Sequence, residues 1–515
     1  MFERLTGERG VPLAFALAVF LSSALYFLFG DRHLDLADEG FLWYGVLRTR
    51  AGEIPLRDFQ SYEPGRYYWS AAWSFVFGQG ILGLRASLAI VQVLGLVFGI
   101  LVCRRLTGNV AWLIACAGIL SVWMFPRHKL FEPGMAMAAV WVAVRLIEAP
   151  SARRVFQAGL FAGFAAWVGR NHGLYSALAL IATVAILFRA ARLPPLGVAV
   201  RSFAVGVVAG SSPLWGMLVL VPGFAVAFHE SIVFNVTRAV NLPLPYPWPW
   251  RFDLQGRHGL DLLAALGMAA VFVLPVLLYP AGLVAAVRMP PPHLRQRAPL
   301  VAATLVGIFV FHHASVRSEI LHLAQAIHPL LILMFAMVLA SPRAVVRVFG
   351  IVMIGGLTVL VVPNANVWVT HLWPGRQTPV VEHDVAGHRL QLPAAQAADL
   401  TLIETAIRSH VGTADTLFVA PTRPTFYPMF GKVSPVWWLY ILFPLSDAAQ
   451  HATIARLEAA GVRWVLLLDE TVDGREDLRL RNSNPLVFSY LTGTFVDVDD
   501  APLPPNYRLL RRRAP

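Results

Sequence analysis

VPLAFALAVFLSSALYFLFG, residues 11–30, is an uncharged apolar run of the length that crosses a bilayer as one helix. Three residues on, LDLADEGFLWYGVLRTRAGEIPLRDFQSYEPGRYYW, residues 34–69, brings in Asp35, Asp38, Glu39, Glu53, Asp58 and Glu63 with aromatics between them. Together they set the first reading: the chain crosses a membrane and builds a carboxylate-rich structure just beyond it.

The rest of the chain agrees. Of its 515 residues 57% are apolar and only 14% charged, where soluble domains are nearer a quarter charged. Further apolar runs fall near 86–102, 109–125, 133–147, 155–169, 173–188, 202–222, 260–287, 298–311, 327–341 and 344–363, which with the first makes eleven expected spans. The fold class expected is an α-helical polytopic membrane protein with about 11 transmembrane helices. The net charge of +12 comes almost wholly from arginines scattered between apolar runs, since Lys129 and Lys432 are the only lysines. That pattern anchors spans and does not point to nucleic acid. Two cysteines, Cys103 and Cys116, offer neither a disulfide framework nor a Cys-based metal site. No cleavable signal is expected, because no small-residue cleavage site follows the first run.

Arginines set the orientation. Arg4 and Arg9, Arg104-Arg105, Arg153-Arg154, Arg189 with Arg192, Arg288 with Arg295 and Arg297, and Arg343 with Arg347 fall on alternate connections, the cytoplasmic ones by the positive-inside rule. The N-terminus is then cytoplasmic and everything after Pro363 extracytoplasmic. On this topology every histidine except His293 lies outside, as do all acidic residues except Glu3, Glu8 and Glu148.

Composition changes after 363. Residues 364–395 read as a linker with a hairpin, VVEHDVAGHRLQL, turning at Ala386-Gly387. Residues 396–515 follow as a small C-terminal α/β extracytoplasmic domain: a helix at 397–408, a strand at 416–420, a helix near 448–460, a strand ending at Asp469 and a last strand in NYRLLRR. No Gly-rich phosphate loop occurs there. Residues 1–363 form the membrane domain, with 31–85 as its first outer loop.

Within that loop FLWYGVLRTRAGEIPL reads as an interfacial helix ending at Gly52, and Pro64-Gly65 turns the chain into a second semi-apolar segment. A carboxylate held near the interface has its pKa raised towards that of a general base. Asp38 is the candidate, with Glu39 beside it; capping of the following helix is the structural alternative for Asp38. A DEG after the first span, a G-x-x-P-L-R-D-F element and a Pro-Gly before an aromatic-rich segment resemble the GT-C glycosyltransferases, which include the protein O-mannosyltransferases and the aminoarabinose transferase of lipid A. The resemblance implies a polytopic enzyme that takes a sugar from a polyprenyl-phosphate donor, and it carries that family's first-loop acidic base over to Asp38.

Four more outer segments hold ionisable groups. PRHKLFEPG, 126–134, crowds Arg127, His128, Lys129 and Glu132. The resemblance places a second acidic group here, matched by Glu132, which is either catalytic or structural. No D-x-D or E-x-D pair is present, so the metal-independent branch is expected, without a cofactor. GRNHGLY, 169–175, supplies Arg170 and His172. FHHASVRSEILHLAQAIHP, 311–329, supplies Arg317, Glu319 and His322, matching an R-x-[DE]-x-x-H element of bacterial relatives. Its His spacing is not a usual zinc pattern. FHESIVFNVTRAVNLPLPYPWPWRFD, 228–253, sets Pro243, Pro245, Pro247 and Pro249 among Tyr246, Trp248 and Trp250, as a lid on the donor, a sugar-binding wall or an interfacial aromatic belt.

The expected site therefore has Asp38, Glu39 and Glu132 as catalytic groups. Arg317, His322, Arg170, His172 and Lys129 grip the donor phosphate, and Glu63, Arg127, Glu319, Tyr246 and Trp248 contact substrate. The expected partners are a polyprenyl-phosphate-linked sugar, a glycan, lipid or protein acceptor, and the bilayer. A lipid-linked glycan polymerase or ligase has the same needs. A transporter or a non-catalytic glycan-assembly protein is the reading from another class. A transporter would carry charge at the midplane, and Arg145 is the clearest charge inside an expected span.

Overall fold

The computed structural model describes residues 10–190, 193–237, 242–370, 373 and 378–513. Arg4, Arg9, Arg192 and part of the expected linker lie outside them. Seven helices are long and apolar enough to cross a membrane: Gly10–Phe29, Ile81–Cys103, Arg127–Glu148, Arg170–Arg189, Gly259–Arg288, Ala298–Val316 and Ala344–Ala365. Two more candidates are broken. Leu196–Gly210 and Ser212–Leu220 meet at 57°, and Ile320–Ala326 and His328–Leu339 at 60°. Pro213 and Pro329 stand in the first turn of the second helix of each pair, where a residue without an N–H starts a helix readily and continues one poorly.

By length and composition the described residues thus hold seven to nine spans, where the sequence reading expects about eleven. The remaining two expected spans are helical but short: Val110–Val122 has 13 residues and Ala152–Val168 has 17. At 1.5 Å per residue a 13-residue helix covers only about 20 Å of a core about 30 Å thick. Apolar runs in sequence do not reveal where the chain turns, so they overstate helix length.

The described residues fall into two compact units. The first comprises Met1–Gly30, Arg85–Val221 and Asn241–Gln377. Its tightest packing is between helices Ala152–Val168 and Leu196–Gly210, whose glycines interlock. A Cβ at Gly159 would lie 2.1 Å from Phe203 O and one at Gly163 2.2 Å from Val207 O. In return, a Cβ at Gly206 would lie 2.2 Å from Phe156 O and one at Gly210 2.0 Å from Leu160 O. Two Gly-xxx-Gly pairs thus bring the backbones into contact, a device suited to helices in lipid. Gly210→Leu is expected to force the helices apart and cost at least about 1–3 kcal/mol, read as a lower Tm in detergent. Gly216→Leu faces open space and should melt with the wild type. Equal melting of the two variants would contradict the packing argument.

The exit of the first span is held by arginines. Arg85 Nη1 donates to Gly30 O at 2.7 Å and Arg127 Nη2 to Phe29 O at 2.6 Å. These are C-terminal helix carbonyls, where cations are favoured. The Arg127 guanidinium also lies 4.0 Å above the Trp368 ring.

The second unit comprises Asp31–Leu84, Pro222–Val240 and Thr378–Pro515. The sequence reading grouped 31–85 with the membrane helices; the structure groups 31–84 with the C-terminal residues. Strand pairing is one reason. β1 (Val380–Val385) and β2 (His388–Pro393) form the expected hairpin, with Ala386 and Gly387 at φ 51° and 83°, as a two-residue turn between twisted strands requires. Asp31–His33 then adds alongside β2: Gln391 N–H donates to Asp31 O at 2.8 Å and His33 N–H to Gln391 O at 3.0 Å. β3 (Leu417–Ala420), β4 (Trp464–Leu468), β5 (Phe495–Asp497) and β6 (Tyr507–Arg512) make a four-stranded sheet in the order β3-β4-β6-β5. β3 and β4 are parallel, joined through helix Asp447–Ala459; the other pairs are antiparallel. Phe418, Leu457, Val465, Leu467, Val487 and Leu491 fill the core. Sequence reading missed β5 and the helix Pro485–Thr494 before it. Lys432 is structural, its Nζ donating to the carbonyls of Gly412, Thr413 and Asp415 at 2.6–2.9 Å.

Candidate functional site

In the second unit, Asp38 opens the helix Asp38–Arg50. It does not cap it. Asp35 Oδ1 accepts from the N–H groups of Ala37 at 2.8 Å and Asp38 at 3.0 Å, so Asp35 shapes the turn. The Asp38 carboxylate instead accepts, at Oδ1, the hydroxyl of Tyr440 at 2.8 Å. Phe41 stacks on the Tyr440 ring at 4.6 Å and meets Tyr62 edge-on at 5.1 Å. Glu39 is buried one residue further on, and Glu63 is buried before the helix Pro64–Phe77. Burial, followed by the charge of Asp38, pushes the Tyr440 phenol well above its usual range; it therefore stays a donor. A half-buried carboxylate against an aromatic wall, oriented by the hydrogen bond that Tyr440 donates, is an arrangement that can accept a proton from a bound hydroxyl.

In the first unit a second cluster forms around a cavity of about 10 Å³ lined by Glu132, His172, Tyr175, His313 and Gln325, among others. That is the size of a single water. Glu132 is buried in the first turn of helix Phe131–Glu148. His172 and Tyr175 stand in the first turns of helix Arg170–Arg189, and His172 Nε2 is 3.9 Å from Glu132 Oε1. His313 belongs to the last turn of Ala298–Val316, a helix longer than the expected 298–311. Gln325 Nε2 donates to Leu321 O at 2.9 Å, so its Oε1, 3.0 Å from His313 Nε2, accepts the imidazole N–H. Tyr175 Oη is 2.9 Å from His312 Nδ1. Lys129, half-buried in the 3₁₀ turn Arg127–Lys129, acts electrostatically on His313, as does Glu132. Two helix N-termini, each the positive end of its macrodipole, thus open towards a cavity with a nearby lysine and two histidines, a setting that favours an anion.

Glu319 joins this cluster to the proline-rich segment. Its Oε1 accepts from Arg317 Nε and from His322 Nδ1, both at 2.7 Å. The His322 ring lies 5.1 Å from that of His313. Burial would raise the Glu319 carboxyl, but the bonds from His322 and Arg317 outweigh it and hold it below the usual range. Arg317 is further engaged: its Nη1 donates to Leu242 O at 2.9 Å. Tyr246, with its phenol pushed up to about 12 by burial, donates to Phe272 O at 2.5 Å and leans on Trp248 at 4.7 Å.

Among the expected residues, then, the structure brings together Glu132 with His172, Arg317 with Glu319 and His322, and Tyr246 with Trp248. Arg127 holds the end of the first span, and Arg170 opens the helix that carries His172. Tyr440, Tyr175 and Gln325 were missed. Tyr175 and Gln325 were legible as polar groups in apolar helices; nothing local marks Tyr440, 402 residues from Asp38.

No family model matches the chain, and no curated protein matches it. Among solved structures it is similar to ArnT from Cupriavidus metallidurans bound to undecaprenyl phosphate, at 16% identity over 99% of each chain with a TM-score of 0.52. The apo state of the same protein aligns at 14% identity over 97% of each chain, with a TM-score of 0.49. The first likeness extends end to end and shows the fold alone: the two chains share a polytopic helical architecture over nearly their whole length.

Proposed function

We propose that this chain is a GT-C-type glycosyltransferase moving a sugar from a polyprenyl-phosphate donor to an acceptor hydroxyl. The observation that carries the reading is the cluster of ionisable groups in the first unit, Lys129, Glu132, His172 and His313, gathered about two helix N-termini. Ionisable groups inside a helical membrane bundle are costly unless they serve a ligand or a proton, and here they gather where helix N-termini favour an anion. The fold likeness to an ArnT structure that holds undecaprenyl phosphate supports the same ligand class. Lys129, Arg170 and His172 hold the donor phosphate and stabilise the charge that develops on it. Asp38 takes the acceptor proton as the acceptor oxygen bonds to the anomeric carbon. The bond from that carbon to the phosphate oxygen breaks, and polyprenyl phosphate leaves with the electron pair. One displacement inverts the configuration. The reaction sits at the outer face of the cytoplasmic membrane, with the N-terminus inside and the C-terminus outside.

The two broken spans are what a transporter would build on. The first break lies in AGSSPLW, 209–215, which has no charged residue, and Ser211 Oγ there bonds back to Val207 O at 2.7 Å. That is local helix repair rather than a substrate site.

The test uses purified protein in nanodiscs with undecaprenyl phosphate as the binding probe, and radiolabelled undecaprenyl-phosphate-linked mannose, glucose and aminoarabinose as donors. Saturable binding of the free lipid phosphate, and turnover of at least one donor, are expected. Absence of both would remove the reading.

A further inference from the structure

We propose that Tyr440, from the C-terminal part of the chain, is the positioning residue for the Asp38 carboxylate. The inference rests on the reading of Asp38 as general base and gives the C-terminal residues a part in the chemistry rather than a place beside it.

The segment carrying Tyr440 is already fastened to the first outer segment by contacts that do not involve Asp38. Thr425 Oγ1 donates to Leu36 O at 2.8 Å. Ser434 N–H donates to Tyr44 Oη at 3.1 Å, and Trp437 Nε1 to Leu56 O at 3.0 Å. Gln60 N–H donates to Trp437 O at 2.8 Å. The phenol O–H adds little to this fastening. What it does is fix one oxygen of Asp38, and with it the direction of the other.

Tyr440 is itself held closely. Gln60 Oε1 accepts from the N–H groups of Leu439 at 2.9 Å and Tyr440 at 2.7 Å, which sets the backbone. The stack on Phe41, with 17° between ring planes, sets the ring. Phe41 lies three residues after Asp38 on the same helix, so ring and carboxylate are carried by one rigid element. A base must sit within hydrogen-bond reach of the proton it removes, and a misplacement of about 1 Å can cost about a hundredfold in rate. A side chain with two rotatable bonds at the first position of a helix does not hold that tolerance alone. The hydrogen bond that Tyr440 donates to Oδ1 supplies such a constraint.

The test is Tyr440→Phe in the full chain, which removes the O–H and keeps the ring. With whichever probe donor the wild type turns over, kcat should fall about 10- to 100-fold, with donor KM, undecaprenyl phosphate affinity and Tm unchanged. In an Asp38→Asn background the same substitution should cost nothing more. Wild-type kcat in Tyr440→Phe, or an equal further loss in the Asp38→Asn background, overturns the proposal. If Asp38→Asn itself turns over like the wild type, the base reading fails first, and this inference with it. A second measurement needs no turnover: amide exchange at residues 38–41 should quicken in Tyr440→Phe while that of 425–437 stays put. Unchanged exchange at 38–41 overturns the proposal whatever the donor.

Discussion

Replacing Asp38 by asparagine is expected to lower donor turnover by about 10²–10⁴-fold, the contribution of a positioned general base, and to leave the fold intact. The structure explains why the two effects separate. Asparagine keeps an oxygen for the Tyr440 hydroxyl and nearly the same shape. The helix start does not depend on Asp38, because Asp35 accepts the N–H groups of Ala37 and Asp38. What is lost is the ability to take a proton. Undecaprenyl phosphate should bind as before, since the groups proposed to hold the phosphate belong to the first unit and Asp38 to the second. Turnover near the wild-type level in Asp38→Asn, with a dead Glu132→Gln, would move the base to the buried carboxylate of helix Phe131–Glu148.

Lys129→Met should weaken undecaprenyl phosphate binding by about 10- to 150-fold, the equivalent of a charge-assisted hydrogen bond worth about 1.5–3 kcal/mol. Methionine keeps the length of the stem, so packing in the 3₁₀ turn survives. Arg317 provides the contrast. Its guanidinium binds Glu319 Oε1 and Leu242 O, so it ties the proline-rich segment to the turn before helix Ile320–Ala326. Arg317→Ala should disturb binding less than Lys129→Met, and Arg317→Glu combined with Glu319→Arg should restore what is lost. Full affinity in Lys129→Met, with a large loss in Arg317→Ala that the swap does not rescue, would return the grip to Arg317.

Much of this was legible locally. The first span, the hairpin turning at Ala386-Gly387 and the strands at Leu417 and Trp464 are written in hydrophobic period and turn chemistry, which act over a few residues. So is the suspicion attached to Asp38, Glu132 and His172, because charge stands out against an apolar background. The lengths of the helices were not legible, since Pro213 and Pro329 could be read either as tolerated inside a span or as the start of a new helix. The glycines at 159, 163, 206 and 210 reveal themselves only as facing pairs. That Arg317 binds Glu319 Oε1 and Leu242 O is likewise not legible in the sequence. Tyr440 could not be read at all: its contact with Asp38 is created by the tertiary fold.

The strand formed by Asp31–His33 alongside β2 fixes an order of events during synthesis. Gln391 leaves the ribosome 391 − 31 = 360 residues after Asp31. At about 5–20 residues per second that is a wait of roughly 20–70 s. Throughout it the segment after the first span, with its acidic turn and aromatic faces, has neither its strand partner nor the Trp437–Tyr440 segment to close over it. A chain released early would therefore insert its spans and still lack an assembled Asp38. The Asp38–Tyr440 hydrogen bond can form only after the last membrane helix has been made, so under the proposed function partial products lack an assembled base.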